Sequence, residues 1–136
     1  MKNKKHLDAK GKGEFAYDYK YDILTFKVKD RDYQKSIEFQ NFTADIDKKG
    51  FVTGARIFDA SIVLGVDKYI LKNITQWEFK SNVENNVIII TLNFVAKFRN
   101  RLLPILGQKQ NFMQQFTTPS TSQQLVDSTV KCAVAL

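Results

Sequence analysis

Apolar and polar residues alternate along most of this chain with the period of a β-strand. The pattern begins at Phe15. In Tyr21–Val28, Leu24, Phe26 and Val28 share one face while Ile23, Thr25 and Lys27 share the other, which predicts a half-buried strand. Asp30–Tyr33 reads as a turn. The next run, KSIEFQNFTADI, changes parity. Ile37 and Phe39 lie on one side, Phe42, Ala44 and Ile46 on the other, so a β-bulge is expected near Gln40–Asn41. Asp47–Gly50 (DKKG) is a second turn with Gly50 free to take positive φ, and Phe51–Phe58 runs back along the sheet.

At Asp59 the pattern shortens to single helical turns. Asp59 and Gly65 bracket the first as N-cap and terminator, and Asp67 caps a second over Asp67–Ile74. Neither is long enough to stand alone. Alternation resumes at Trp77/Phe79 and continues through Ile88/Ile90/Leu92/Phe94, with a turn expected at Glu84–Asn86. Val87 and Ile89 add apolar mass to the opposite face of the second strand. Beyond Arg101 the signal weakens. LLPIL is apolar and broken by Pro104, and a glutamine-, serine- and threonine-rich stretch follows. A last helix is expected with Ser120 or Thr121 as cap and Leu125, Val126, Thr129, Val130 and Ala133 on one side; an extended tail is the alternative, since Val, Thr and Ser are poor helix formers.

These elements predict an α+β fold: a mainly antiparallel sheet of about five or six strands, two short helices after the second hairpin, and the C-terminal helix. The expected organisation is a mobile basic tail over residues 1–14, a β-rich domain over 15–101, and an extension over 102–136 that is helical or oligomerising. The 136 residues suffice for one core without covalent staples. Phe 11 and Tyr 5 agree with strands.

The net charge of +7 invites a nucleic-acid reading until it is placed along the chain. Residues 1–14 carry five lysines against Asp8 and Glu14. Residues 15–96 carry eleven basic and eleven acidic side chains. Residues 97–136 carry five basic residues against Asp127. The body is neutral and the excess sits in the flanks, whereas a folded nucleic-acid reader concentrates charge on one face. Contacts to nucleic acid, were they made, would fall to Lys2, Lys4, Lys5, Lys97, Arg99 and Arg101.

Candidate chemistry is sparse. Asp45, Asp47 and Gly50 follow the opening spacing of a calcium loop, but Lys49 and Arg56 stand where positions 5 and 12 need oxygen ligands, so a hairpin turn is the reading and no metal site is expected. Asp18/Asp22 and Asp30/Asp32 lie at turn spacing. A carboxylate-dependent hydrolase would need Asp18, Asp22 or Asp59 to converge on one cleft. His6 falls in the expected tail, Cys132 in an apolar context, and Gly11–Gly13 lacks the strand and helix of a phosphate loop. No catalytic residue, cofactor or metal is expected. A single cysteine and no apolar stretch of membrane-spanning length suggest a cytoplasmic protein.

Two segments carry a family resemblance. Tyr17–Leu24 reads Y-D-x-x-x-D-x-L, and Asp45–Ser61 reads D-x-D-x-x-G-x-V-x-G-x-x-I-x-D-A-S. Together they resemble a widespread prokaryotic family of small proteins of unknown function. The following LG-x-x-K-x-x-LKNI, Leu64–Ile74, resembles its archaeal branch. Arg56 departs from the acidic residue usual there. The resemblance implies no activity, and for some members it implies an antitoxin-like or regulatory role. The functional expectation is therefore a non-enzymatic protein-interaction module that pairs with itself as a homodimer or higher oligomer, or with another protein. A nucleic-acid-binding accessory protein is the alternative, and no membrane association is expected.

Overall fold

The computed structural model describes residues 4–98, 101–105, 112–117 and 125–135. Two sheets face each other across one core. The first, sheet B, contains β2 (Gly13–Asp18), β3 (Ile23–Val28), β4 (Tyr33–Phe39), β5 (Phe42–Asp47) and β6 (Val52–Ile57), in the order β2-β3-β6-β5-β4, all antiparallel. The chain then passes through α1 (Ala60–Leu64) and α2 (Lys68–Leu71) to sheet A. That sheet holds β1 (Lys5–Asp8), β7 (Ile74–Glu84), β8 (Val87–Phe98), β9 (Arg101–Ile105), β10 (Phe112–Thr117) and β11 (Ser128–Ala135). Its order is β1-β11-β7-β8-β10, and β9 pairs with the far half of the β8 edge that β10 leaves open.

The expected mainly antiparallel sheet structure with two short helices is what forms, divided into two layers because alternating strands bury only one face each. Leu24, Phe26 and Val28 of β3 share one buried core with Phe79, Ile90, Leu92 and Phe94 of sheet A. The Phe26 ring lies 5.2 Å from those of both Trp77 and Phe94. At the opposite side Phe116 stacks on Phe39 at 4.1 Å and approaches Phe42 at 4.8 Å.

Four expectations change. The parity switch at Gln40–Asn41 is a hairpin turn and not a bulge. Phe39 and Phe42 pair directly across it, and Asn41 takes φ 58°; a two-residue turn shifts parity as a bulge does. Of the expected tail, the described residues include two stretches that join the sheets. Lys5–Asp8 lies parallel to β11, with His6 opposite Thr129, and Gly13 opens β2. Within the expected extension, the described segments β9, β10 and β11 all belong to sheet A. The expected C-terminal helix is replaced over Ser128–Ala135 by a strand. Ser128, Val130 and Cys132 point into the core and Thr129 and Lys131 out of it. Its cap at Ser120 or Thr121 lies outside the described residues. Strand wins because β11 sits between β1 and β7, so both rows of its backbone groups are paired.

The turn at Glu84–Asn86 forms as expected, with Asn85 and Asn86 both left-handed (φ 51° and 65°), the conformation of a two-residue hairpin. Among the described residues no helix is long and apolar enough to cross a membrane.

Candidate functional site

The β2–β3 turn and α1 meet through one buried carboxylate. Asp22 takes φ 58°, which Asp tolerates better than most residues, and this turns its side chain toward the helix. Its Oδ1 accepts the Tyr17 hydroxyl at 2.6 Å. Its Oδ2 accepts the Ser61 hydroxyl at 2.6 Å, and the Ser61 amide reaches both oxygens at 3.0 and 3.2 Å. The Asp22 carbonyl also accepts the Ala60 amide at 2.9 Å. Asp22 is 6% exposed. Burial alone would raise its pKa, but the Ser61 hydroxyl, the Tyr17 hydroxyl and the Ser61 amide outweigh it and hold the carboxyl below its ordinary value. Burial and the bond to the charged Asp22 push the Tyr17 phenol well above the ordinary tyrosine range. The pair is therefore an ionised acceptor and a neutral donor.

This arrangement corrects the expected cap. Asp59 is not the N-cap acceptor of α1. It lies in the left-handed region at φ 52° and makes no side-chain cap bond. Asp22, distant in sequence, supplies that function to the Ser61 amide. The second expected cap holds, since Asp67 accepts the Tyr69 amide at 2.7 Å. The three carboxylates considered for hydrolysis are thus unequal. Asp22 is filled by its donors, Asp18 accepts the Tyr21 amide at 3.0 Å, and Asp59 is exposed.

The D-x-D-x-x-G segment is also spent on structure. Asp47, 1% exposed, accepts the Lys49 and Phe51 amides through Oδ1 and the Arg31 guanidinium through Oδ2 at 2.7–2.8 Å. Asp45 accepts the Ser36 hydroxyl at 2.6 Å and pairs with Arg56 at 3.3 Å. Arg56, the departure from the resembled family, is therefore absorbed by a neighbouring carboxylate on the outer side of sheet B.

Among the described basic residues expected to contact nucleic acid, Lys4 and Lys5 lie at one end of sheet A and Lys97 and Arg101 at the other. Lys4 bonds Asn82 and pairs with Glu84 at 3.8 Å. Lys5 lies on β1, level with Ser128, Val83 and Ile88 across sheet A. Lys97 lies nine residues beyond Ile88 on β8, about 30 Å along the strand. Arg101 opens β9 opposite Phe98. Lys2 and Arg99 fall outside the described residues. Cys132 is buried, and burial raises its thiol to about 11.

What sequence reasoning missed is the surface around the clasp. Tyr19, Tyr21 and Tyr69 are 50%, 64% and 53% exposed. Lys68 and Lys72 lie 5.6 and 4.7 Å from the Tyr19 ring centroid, and Lys20 lies 5.3 Å from that of Tyr21. The alternation Y-D-Y-K-Y was the available signal, but only the fold brings α2 beside it. Sheet A also carries a shallow hollow of about 340 Å³ on its outer side, where Gln76, Glu78, Asn93, Val95 and Ala133 surround a floor over Trp77 and Phe94.

The fold and clasp define a two-sheet, antiparallel β protein whose first hairpin is locked to the inter-sheet helices by Asp22. No family model matches the chain, and no solved structure matches it. Over 91 residues it is 32% identical to the uncharacterized protein MJ0789 of Methanocaldococcus jannaschii, an alignment that covers 66% of this chain and 78% of that protein. The chain belongs to the family of that archaeal protein, which has no established function. It is also 27% identical over 90 residues, 66% of this chain and 73% of the relative, to a Methanosarcina mazei protein provisionally named a hypoxanthine phosphoribosyltransferase.

Proposed function

We propose that the protein is a non-enzymatic, cytoplasmic interaction module that pairs with a second copy of itself through the outer face of sheet A. The observation that carries this reading is the double-sided character of β8. Ile88, Ile90, Leu92 and Phe94 fill the core, while Val87, Ile89 and Val95 on the reverse face are only half-buried. Met113, which pairs with Thr91 on the neighbouring strand, is 65% exposed on that same face. Val87 and Ile89, with Met113 on the next strand, make an apolar patch on an open sheet face, and Thr91 and Asn93 separate it from Val95; such a patch is better covered than solvated. The regulatory role implied by the resemblance would then belong to the assembled dimer. The phosphoribosyltransferase name of the Methanosarcina relative brings no site residue to this chain and is not carried over.

Light scattering over a concentration series tests the proposal. The wild type should approach dimer mass as concentration rises, and Ile89→Lys should hold it at monomer mass with its circular dichroism unchanged. A wild type that stays monomeric at high concentration, or a dimer that Ile89→Lys leaves intact, overturns it.

A further inference from the structure

The apolar patch on the outer face of sheet A contains one side chain whose polarity a simple reaction can change. Val87 and Ile89 of β8 are half-buried, whereas Met113 of β10 is 65% exposed and is the most accessible of the three. Met113 stands opposite Thr91 and diagonal to Ile89, within reach for a side chain of its length. A two-fold contact built on this patch sets it against the same patch of the second copy, so both Met113 side chains become covered. In the free protomer the thioether sulfur is open to a peroxide. Oxygen transfer then forms a sulfur–oxygen bond, breaks the peroxide O–O bond and releases water; sulfur is oxidised and the peroxide reduced. The sulfoxide is polar, and Val87 and Ile89 offer its oxygen no donor.

We infer that pairing through sheet A is controlled by the oxidation state of Met113: the thioether pairs and the sulfoxide does not. This rests on the pairing proposed above and adds its regulator, a peroxide. The other sulfurs do not compete at this patch. Cys132 is fully buried on the core side of β11, where its thiol stays neutral and shielded, and Met1 lies outside the described residues. The coupling runs both ways: oxidation weakens pairing, and pairing protects the sulfur.

Sedimentation over a concentration series, before and after hydrogen peroxide, tests the inference. Oxidation should raise the dimer Kd of the wild type by about 5- to 100-fold, the lower figure applying if the Thr91 hydroxyl or the Gln115 amide reaches the new oxygen. Met113→Leu, which conserves volume, should pair like wild type and stay paired after the same treatment. Met113→Gln should pair as weakly as the oxidised protein, and methionine sulfoxide reductases for both epimers should restore the wild type. Sulfoxide formation at residue 113, followed by mass spectrometry, should slow as wild-type concentration rises through the dimer transition and should be independent of concentration in Ile89→Lys. Unchanged circular dichroism for each variant confirms that pairing alone is read. Oxidised wild type that pairs as tightly as reduced, or Met113→Leu that peroxide dissociates, overturns the inference while pairing through sheet A stands. A wild type that stays monomeric throughout, or a dimer that Ile89→Lys leaves intact, overturns the pairing itself and this inference with it.

Discussion

Replacing Asp22 by Asn isolates the clasp with little other disturbance. The two side chains have nearly the same shape, and Asn accepts the left-handed backbone at φ 58° as readily as Asp, so no strain is added. Ala there would add about 1 kcal/mol of backbone cost and blur the result. Asp22 accepts from the Tyr17 hydroxyl, the Ser61 hydroxyl and the Ser61 amide. Hydrogen bonds to a charged acceptor contribute about 1.5–3 kcal/mol each. Asn keeps one acceptor oxygen and turns an NH₂ group toward a donor, so at least one buried donor loses its partner. The expected cost is about 2–4 kcal/mol, a large share of the roughly 5–15 kcal/mol that holds a domain folded. Urea unfolding followed by fluorescence of the single tryptophan, Trp77, buried in the core, measures it. Ser61→Ala, which removes only the hydroxyl, should cost about 1 kcal/mol. The double variant should be less destabilised than the sum by about 0.5 kcal/mol or more, because the residues share one interaction. A loss below about 0.5 kcal/mol for Asp22→Asn, or strict additivity with Ser61→Ala, would refute the reasoning.

Other outcomes follow from the same geometry. Because the folded Asp22 carboxyl is held below the unfolded aspartate value of about 3.9, its contribution is present at neutral pH and is lost as pH falls below about 4 through the lowered value; wild-type stability should drop there more steeply than that of Asp22→Asn in acid denaturation. Tyr17 has the opposite sign: its raised phenol contributes fully below about pH 10 and progressively less above it, so Tyr17→Phe should flatten the alkaline limb of the same profile. Gly13→Ala should cost about 1–3 kcal/mol and shift Trp77 emission, since a Cβ there would collide with the Trp77 ring and the Cys132 sulfur. Cys132, buried with its thiol raised to about 11, should react with a thiol reagent only as fast as the protein opens, and denaturant should remove that protection.

Much of this molecule was legible in its local pattern. The face of β3 that carries Leu24, Phe26 and Val28, the inward row of β8, the Asn85–Asn86 turn, the Asp67 cap and the structural use of Asp47 all depend on neighbours within a few residues, and period and turn chemistry report such neighbours. What the tertiary structure alone decided depends on partners far along the chain. Ser128–Ala135 is a strand because β1 and β7 flank it, although its composition left helix and extended tail both open. Residues 5–8 are ordered by the same pairing from the other side. The N-cap of α1 passed from Asp59 to Asp22 because the left-handed backbone at Asp59 points its own carboxylate away, while the β2–β3 turn brings another carboxylate into place. The tyrosine–lysine surface exists only because α2 lies against that turn. A sequence fixes which residues can stack, cap or pair; the closing of distant segments fixes which of them do.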